Sequence, residues 1–482
     1  MKILHTSDWH LDAKLEQKSR SAEHDLFLEW LRKTLISEEI DVLIVAGDVF
    51  DQGTPGNASY LRYSRFLGDI FRDAEAGKSR CRNVFVTAGN HDSPSFLRTS
   101  EPFLEILGMH VVTVPEAEIE KMIFPVSDSS GKTRLLVLAV PYLRERDLAA
   151  FIDHSVDMDL SRKTLDAFRK FYRQITDRAV EIREKLLRRE YPDWEERTRD
   201  FSENERQREA ARRIPLLATG HLFTAHGKTV EDDGVRPVHV GTLDQFPVED
   251  FPAELDYLAL GHLHIPQSIK GKENIRYSGS PIPMGFSEIG TPKQVVILET
   301  LEGEENSENS LHVPEKVFPF RIESKTIPVF QTLKVLRGDF QEIEAAARAL
   351  PAEEPRIWVK AVFAGEYYEL SVRDQIEELF QALPHLDLVS FENQTSRTRQ
   401  KSEEVSQHED LRQLDENEVF ERFLEVCHGM MSQESQEKLK ETFRELQDMF
   451  EAEQIRKTEM SEEDFSETDS PMENENIKFA GF

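Results

Sequence analysis

Five short apolar runs, at residues 2–4, 42–46, 84–88, 216–219 and 257–260, each lead into a short polar motif. Runs of this length, bounded by Gly and Asp, read as strands buried on both faces. Between and just after the first three, apolar residues recur at helical spacing over 21–38, 58–72 and 94–107, with Phe27, Trp30, Leu31, Thr34 and Leu35 striping the first. Strands alternating with amphipathic helices over residues 1–150 predict βα units and a mainly parallel sheet, an α/β fold.

The pattern changes at 158–213, where Leu160, Leu165, Phe168, Phe171, Tyr172, Ile175, Val180, Leu186 and Leu187 sit at helical spacing among many charges. Pro192 interrupts them, so two helices with a break near 191–193 are expected. Residues 302–310 are polar and suit a turn. A smaller mixed α/β domain fits 319–399, with strands at 332–336, 357–363 and 386–391 and helices at 339–350 and 372–383. The stretch 393–410 lacks apolar periodicity and reads as a linker. Two amphipathic helices follow within 400–457, one striped by Val419, Phe420, Phe423, Leu424 and Cys427, the other by Leu439, Phe443, Leu446, Met449 and Phe450. Such a pair cannot bury both stripes alone, so it folds back or docks on another protein. An acidic, disordered tail is expected over 458–482.

Composition narrows this picture. A chain of 482 residues exceeds one compact core. Its two cysteines, Cys81 and Cys427, fall in different expected domains, which argues against a disulfide or a cysteine zinc site and suits a reducing cytosol. No signal-peptide pattern and no run of ~20 apolar residues occurs, so a soluble, cytoplasmic protein without membrane contact is expected. The net charge of −31 does not advertise nucleic-acid binding, but about half of the excess lies beyond residue 400.

The polar motifs carry the chemistry. They are Asp8-Trp9-His10, Gly47-Asp48-Val49-Phe50-Asp51, Gly89-Asn90-His91-Asp92, Gly220-His221 and Gly261-His262-Leu263-His264. In open α/β sheets, ligands gather outside the carboxyl ends of strands, where these side chains would converge. Asp8 and His10, two apart, point to one side of an extended segment, as do His262 and His264. Gly47 leaves the backbone room at a crowded site, and Asn90 offers a neutral oxygen. A mixed N/O set without sulfur favours Mn²⁺, Fe²⁺ or Zn²⁺ over Ca²⁺. Some seven ligands suit two divalent ions that share a carboxylate. Two ions about 3.5–4 Å apart clamp both oxygens of an in-line phosphoryl displacement, and metal-bound water ionises near neutral pH.

The five motifs, in this order, resemble those of the calcineurin-like metallophosphoesterase superfamily. Within it, Gly89-Asn90-His91-Asp92, Gly220-His221-Leu222, Gly261-His262-Leu263-His264 and the run Tyr277-Ser278-Gly279-Ser280-Pro281-Ile282-Pro283 resemble the SbcD-type nuclease subunits. The resemblance implies a four-layer α+β sandwich over 1–318, a DNA-binding cap at 319–399 and a docking element for an SbcC-type coiled-coil ATPase within 400–457. It implies Asp8, His10, Asp48 and His264 around one metal, and Asp48, Asn90, His221 and His262 around the other, with Mn²⁺ the usual ion. His91 matches the catalytic histidine, which touches the scissile phosphate and serves the leaving 3′ oxygen. Asp51 and Asp92 would orient His91 or a ligand imidazole. The implied activity is that of a DNA nuclease subunit, dimeric and ATP-dependent through its partner. It would degrade duplex ends 3′ to 5′, nick single strands and hairpins, and act in repair and recombination. The insert 158–213 is longer than the family pattern needs.

Other residues carry weaker readings. Trp9 suits core packing. His5, His24, His110, His154 and His226 lack motif context and read as surface or satisfied histidines. Arg62 with Arg65, Lys78 with Arg80 and Arg82, Arg144 with Arg146, and the insert's Arg162, Lys163, Arg169, Lys170, Arg173 and Arg178 are either phosphate contacts or solvated charge. A phosphomonoesterase or cyclic-nucleotide phosphodiesterase of the same fold would need neither cap nor helix pair. A non-catalytic scaffold should have lost ligands, and none is missing.

Overall fold

The computed structural model describes residues 1–99, 101–152, 160–225, 227, 246–269, 271–301, 318–352, 355–365, 371–394, 438–440, 442 and 443. Its chain divides into two compact units, Met1–Lys334 with Glu353–Lys360, and Val335–Ala352 with Ala361–Phe482.

The first unit contains, in chain order, strands Lys2–Thr6 (β1), Val42–Ala46 (β2), Asn83–Thr87 (β3), Met109–Val112 (β4), Ile123–Ser127 (β5), Thr133–Leu138 (β6), Leu216–His221 (β7), Tyr257–Gly261 (β8), Gln267–Ile269 (β9), Lys272–Tyr277 (β10), Gln294–Thr300 (β11) and Phe320–Thr326 (β12), besides a small hairpin at Lys14–Leu15 and Lys18–Ser19. They form two six-stranded sheets, ordered β12-β11-β1-β2-β3-β4 and β9-β10-β8-β7-β6-β5. The strands β1 to β4 are parallel, and so are β6, β7, β8 and β10. Antiparallel strands close the flanks.

Alternation along the strands sorts side chains into layers. Leu4, Leu43, Val45, Val84 and Val86 pack with residues of helices Ser21–Ser37 and Asn57–Glu75, including Phe27, Leu31, Phe66 and Ile70. Their neighbours Ile3, Val42, Ile44 and Phe85 instead meet Leu135, Val137, Leu217, Tyr257 and Ala259 of the second sheet. That sheet's other face, with Leu136, Leu138, Leu258 and Leu260, is covered by helix Leu160–Glu190 through Phe168, Phe171, Tyr172, Ile175 and Leu187. The result is the helix–sheet–sheet–helix sandwich that the motifs implied. Burying each of those large apolar side chains contributes about 1.5–3 kcal/mol, so the insert is a structural layer and not an appendage. After the expected break come a short helix at Trp194–Arg197 and a third at Glu203–Arg213.

The first unit also runs past the boundary expected after 318. The strand β12 pairs along the whole of β11, from Thr300 with Phe320 to Gln294 with Thr326. As an edge strand it keeps most side chains exposed or half-exposed, which is why it shows no apolar run.

Strands Leu333–Gly338 (β13), Ile357–Phe363 (β14) and Leu386–Asn393 (β15) form one sheet in that order. The division between units cuts through β13 and β14. Helix Phe340–Ala349 is capped by Asp339, whose Oδ1 accepts from Glu342 N at 2.9 Å. Helix Ser371–Gln381 buries Val372, Ile376 and Phe380. The polar segment 302–310, the expected linker beyond 394, most of the C-terminal helix pair, the tail, His154 and His226 lie outside the described residues. Among the described residues no helix is long and apolar enough to cross a membrane.

Candidate metal centre

The predicted ligands and His91 emerge at the carboxyl ends of five strands. Asp8 and His10 follow β1, Asp48 follows β2, Asn90 and His91 follow β3, His221 ends β7, and His262 and His264 follow β8. Four of them occupy the left-handed region, with φ of 51° at Asp8, 44° at His10, 50° at Asp48 and 100° at His262. Such backbone costs about 1–3 kcal/mol per residue and persists only where the surroundings impose it. Here the loops hold one another. Asp8 N donates to Gly47 O and His10 N to Asp48 O, both at 3.0 Å. His262 N donates to Asp8 Oδ1 and His91 N to Asp48 Oδ1, both at 2.8 Å. Two glycines make room for this. A Cβ on Gly47, at φ +86°, would strike the His221 ring, and one on Gly89 would strike Asp48.

The remaining donor atoms turn towards each other. Asp8, His10 and His264 bring ligand atoms within 4.8 Å of one another, as do Asp48, His221 and His262, and as do His10, Asp48 and His91. Nε2 of His10 lies 3.1 Å from Nε2 of His264. Asn90 Oδ1 lies 3.0 Å from His221 Nε2 and 3.1 Å from His262 Nδ1. Asp48 Oδ2 lies 3.1 Å from His221 Nε2 and 3.7 Å from His10 Nε2, so one carboxylate faces both clusters. Buried acceptors converging in this way suit cations, and the N/O donor set fits Mn²⁺, Fe²⁺ or Zn²⁺. His221 Nδ1–H donates to Ala46 O at 3.0 Å, which leaves Nε2 to face Asp48 and Asn90.

The electrostatics concentrate charge on one pair. Burial opposes ionisation of Asp48, but the charges of His221 and His10 hold it well below the usual carboxylate range. Burial likewise opposes a charge on His221, yet Asp48 outweighs it and lifts the imidazole to about 9. Asp8 is pushed up to about 6, first by burial. His262 is pushed down to about 3 by burial and by the His221 charge.

Beside the clusters, the half-buried His91 donates from Nδ1 to Asp51 O at 2.8 Å and stacks edge-on to His10 with ring centres 4.9 Å apart. The Asp51 carboxylate lies 3.5 Å from His10 Nδ1. Asp92 differs from the expectation that it turns an imidazole. Its carboxylate accepts from the backbone N–H groups of Gly89, Val49 and Phe50 at 2.8, 3.2 and 3.0 Å. It therefore ties the loop after β3 to the loop after β2.

The expected phosphate contacts are mostly committed elsewhere. Arg62 pairs with Asp25 at 2.6 Å, while Arg65 is exposed on the same helix. In the insert, Arg169, Arg173 and Arg178 pair with Asp250, Glu254 and Glu120 at 2.7, 2.6 and 2.7 Å. Among the isolated histidines, His5 Nδ1 meets Tyr257 Oη at 3.1 Å and His110 stacks on Phe85. His24 is not a surface histidine, because it is fully buried.

Sequence reasoning missed the buried Lys293. Its Nζ donates to His264 O at 2.8 Å and Ser280 Oγ at 2.9 Å, and it pairs with buried Glu288. Nothing in the local sequence marks it. Ser7, bonded to Asp8 Oδ2 at 2.5 Å and to Ser278 Oγ at 2.8 Å, was also missed. Its partner Ser278 lies in the 277–283 run, which was the available signal.

Comparison with known proteins gives a consistent result. Residues 1–266 match the calcineurin-like phosphoesterase family, and residues 329–427 match the Type 5 capsule protein repressor C-terminal domain, SbcD_C. The chain is 33% identical over 429 residues to the SbcD subunit of nuclease SbcCD from Escherichia coli strain K12, covering 88% of this chain and 92% of that protein. It is also 33% identical to the SbcD subunits from Rhodobacter capsulatus, over 63% of this chain and 67% of the relative, and from Bacillus subtilis, over 63% and 68%.

Proposed function

Because the chain belongs to the SbcD family of calcineurin-like phosphoesterases, we propose that it is the nuclease subunit of a two-component complex that cuts DNA at ends and hairpins. As a member it is a metal-dependent hydrolase of phosphodiester bonds. The observation that carries the reading is the convergence of Asp8, His10, Asp48, Asn90, His221, His262 and His264 at five strand ends, with His91 beside them. Asp8, His10, Asp48 and His264 would hold one ion, and Asp48, Asn90, His221 and His262 the other, Mn²⁺ being the proposed metal. When bound, the pair supplies Lewis-acid polarisation and a nucleophile at neutral pH.

The protein's own groups set the direction of approach. The six charged or imidazole ligands are almost wholly buried, whereas Asn90 and His91 are half-buried. Substrate therefore enters over the Asn90–His91 loop. His91 spends Nδ1–H on Asp51 O, so the proton serving the leaving 3′ oxygen is exchanged at Nε2. Asp51 fixes the ring, and Asp92 fixes the loop that carries it.

The expected domain at 319–399 is proposed to be a DNA-binding cap, and the striped helices within 400–457 a docking arm for an SbcC-type coiled-coil ATPase. The relatives are components of an SbcCD nuclease, which supports a partnered enzyme. We further propose a homodimeric nuclease subunit, with ATP-dependent 3′ to 5′ exonuclease and hairpin endonuclease activity in DNA repair and recombination. The test is a Mn²⁺-dependent assay on end-labelled duplex and hairpin DNA, with and without the ATPase. Cleavage of bis-p-nitrophenyl phosphate with DNA untouched would point instead to a small-phosphodiester enzyme. Deleting 411–457 should abolish the ATPase complex and spare the metal site, and a complex that survives would refute the docking arm.

A further inference from the structure

Among the described residues, Arg144 stands half-buried beside the metal centre with no carboxylate within ion-pair distance. Its backbone N–H donates to Asp147 Oδ2 at 2.9 Å. The guanidinium, however, makes a single hydrogen bond, from Nη2 to the main-chain carbonyl of Asp92 at 3.5 Å, and Nη1 is buried without a partner. Unpartnered nitrogens occur on Arg62 and Arg183 too, but those arginines face a carboxylate, Asp25 and Asp256, as Arg20 faces Glu23, Arg32 Asp73, Arg134 Asp128 and Arg206 Glu184. In a chain with 91 acidic residues, an unanswered guanidinium is not a shortage of partners. A buried unsatisfied donor is destabilising unless something from outside completes it.

Its surroundings say what that is. Asp92, which takes the one hydrogen bond, directly follows His91. Tyr142 N donates to Ala88 O at 2.8 Å, so the 142–144 segment is fastened at two points to the loop carrying Asn90 and His91. The Tyr142 ring meets the guanidinium, with Cζ 5.8 Å from its centre, and sits edge-on to His221 at 6.2 Å. The guanidinium is therefore set back from the ligand atoms by about the breadth of a phenol ring. A guanidinium fork matches two oxygens of a phosphate.

We propose that Arg144 binds the substrate phosphate next to the scissile one, with Tyr142 spacing it from His221. This rests on the nuclease reading above, in which the substrate is a polynucleotide that carries a further phosphate along the strand. Arg144 is a binding residue of the strand and takes no part in bond cleavage.

The test compares the full Mn²⁺-loaded chain with its Arg144→Gln and Arg144→Lys variants on a single-stranded oligonucleotide and on bis-p-nitrophenyl phosphate, which has no neighbouring phosphate. For Arg144→Gln, KM for the oligonucleotide should rise about tenfold with kcat kept within about twofold. Hydrolysis of bis-p-nitrophenyl phosphate should stay within about twofold. The slope of log binding constant against log salt should flatten by about 0.7. Arg144→Lys, which keeps the charge, should keep that slope and show a smaller rise in KM. Equal losses on both substrates would place Arg144 on the scissile phosphate or the metal shell and overturn the proposal. So would an unchanged KM and salt slope in Arg144→Gln. A wild-type chain that hydrolyses bis-p-nitrophenyl phosphate but neither binds nor cuts the oligonucleotide would sink the nuclease reading, and this one with it, before any variant is compared.

Discussion

Asp48 Oδ2 lies 3.1 Å from His221 Nε2 and, among the described residues, is the one carboxylate that belongs to candidate metal-ligand groups on both sides of the site. Mn²⁺ bound to the fold alone should raise the melting temperature, each ion stabilising the native state by about 2.7 kcal/mol at a hundredfold excess over its Kd. Asp48→Asn should lose nearly all of that response. His264→Asn, which touches one cluster only, should lose part of it. A full Mn²⁺ response in Asp48→Asn, read by scanning calorimetry, would show that the carboxylate is not shared.

His91 is within reach of His10 and Asp48, so its role as a non-ligand needs its own check. The Nδ1 bond to Asp51 O leaves Nε2 for the leaving group. His91→Gln is expected to lower kcat on DNA by about 10²–10⁴ while keeping the Mn²⁺ thermal shift. If the thermal shift disappears with the activity, His91 is a ligand and the acid role falls.

The same cavity can be disturbed without touching a ligand. Gly47 and Gly131 have φ of +86° and +80°, so alanine at either pays about 1–2 kcal/mol for left-handed backbone. A Cβ on Gly131 meets nothing within 4 Å, whereas one on Gly47 would strike the His221 ring. Gly47→Ala should therefore weaken Mn²⁺ binding as well as stability, and Gly131→Ala stability alone. Equal effects on metal titration would mean that His221 is not pinned by Gly47.

The converging side chains were legible because they sit at the ends of strands buried on both faces, such as β2 or β8, whose unbroken apolar run stops at a short polar motif. Where burial is one-sided the signal fades. The edge strand β12 alternates apolar and exposed positions and passed for part of the next domain. The stripe of Phe168, Phe171 and Ile175 announced a helix, but not that it would cover the second sheet. Asp92 looked like a ring-orienting carboxylate because its sequence neighbour is His91, yet its bonds go to backbone, which leaves no pattern in the sequence. Lys293 reaches His264 only through the tertiary fold, 29 residues away along the chain.

His24 predicts how the fold responds to acid. It is fully buried and is pushed down to about 3 by burial and then by the charges of Arg20 and Arg62. In the unfolded chain a histidine titrates near 6.5. Between about pH 6.5 and pH 3 the unfolded chain therefore binds a proton that the native chain refuses. Stability rises with pH wherever the unfolded state holds more protons, so this window loses stability as pH falls, at a limiting ~1.4 kcal/mol per pH unit for one group. The effect vanishes above the window, where both states are neutral. His24→Leu removes the titrating group and leaves an apolar side chain of similar size. Urea unfolding of the metal-free chain at pH 7, 6 and 5 should show His24→Leu near wild-type stability at pH 7. At pH 5 it should have lost less than the wild type, by roughly 1–2 kcal/mol. Parallel losses in the two proteins would mean that His24 takes up its proton inside the fold.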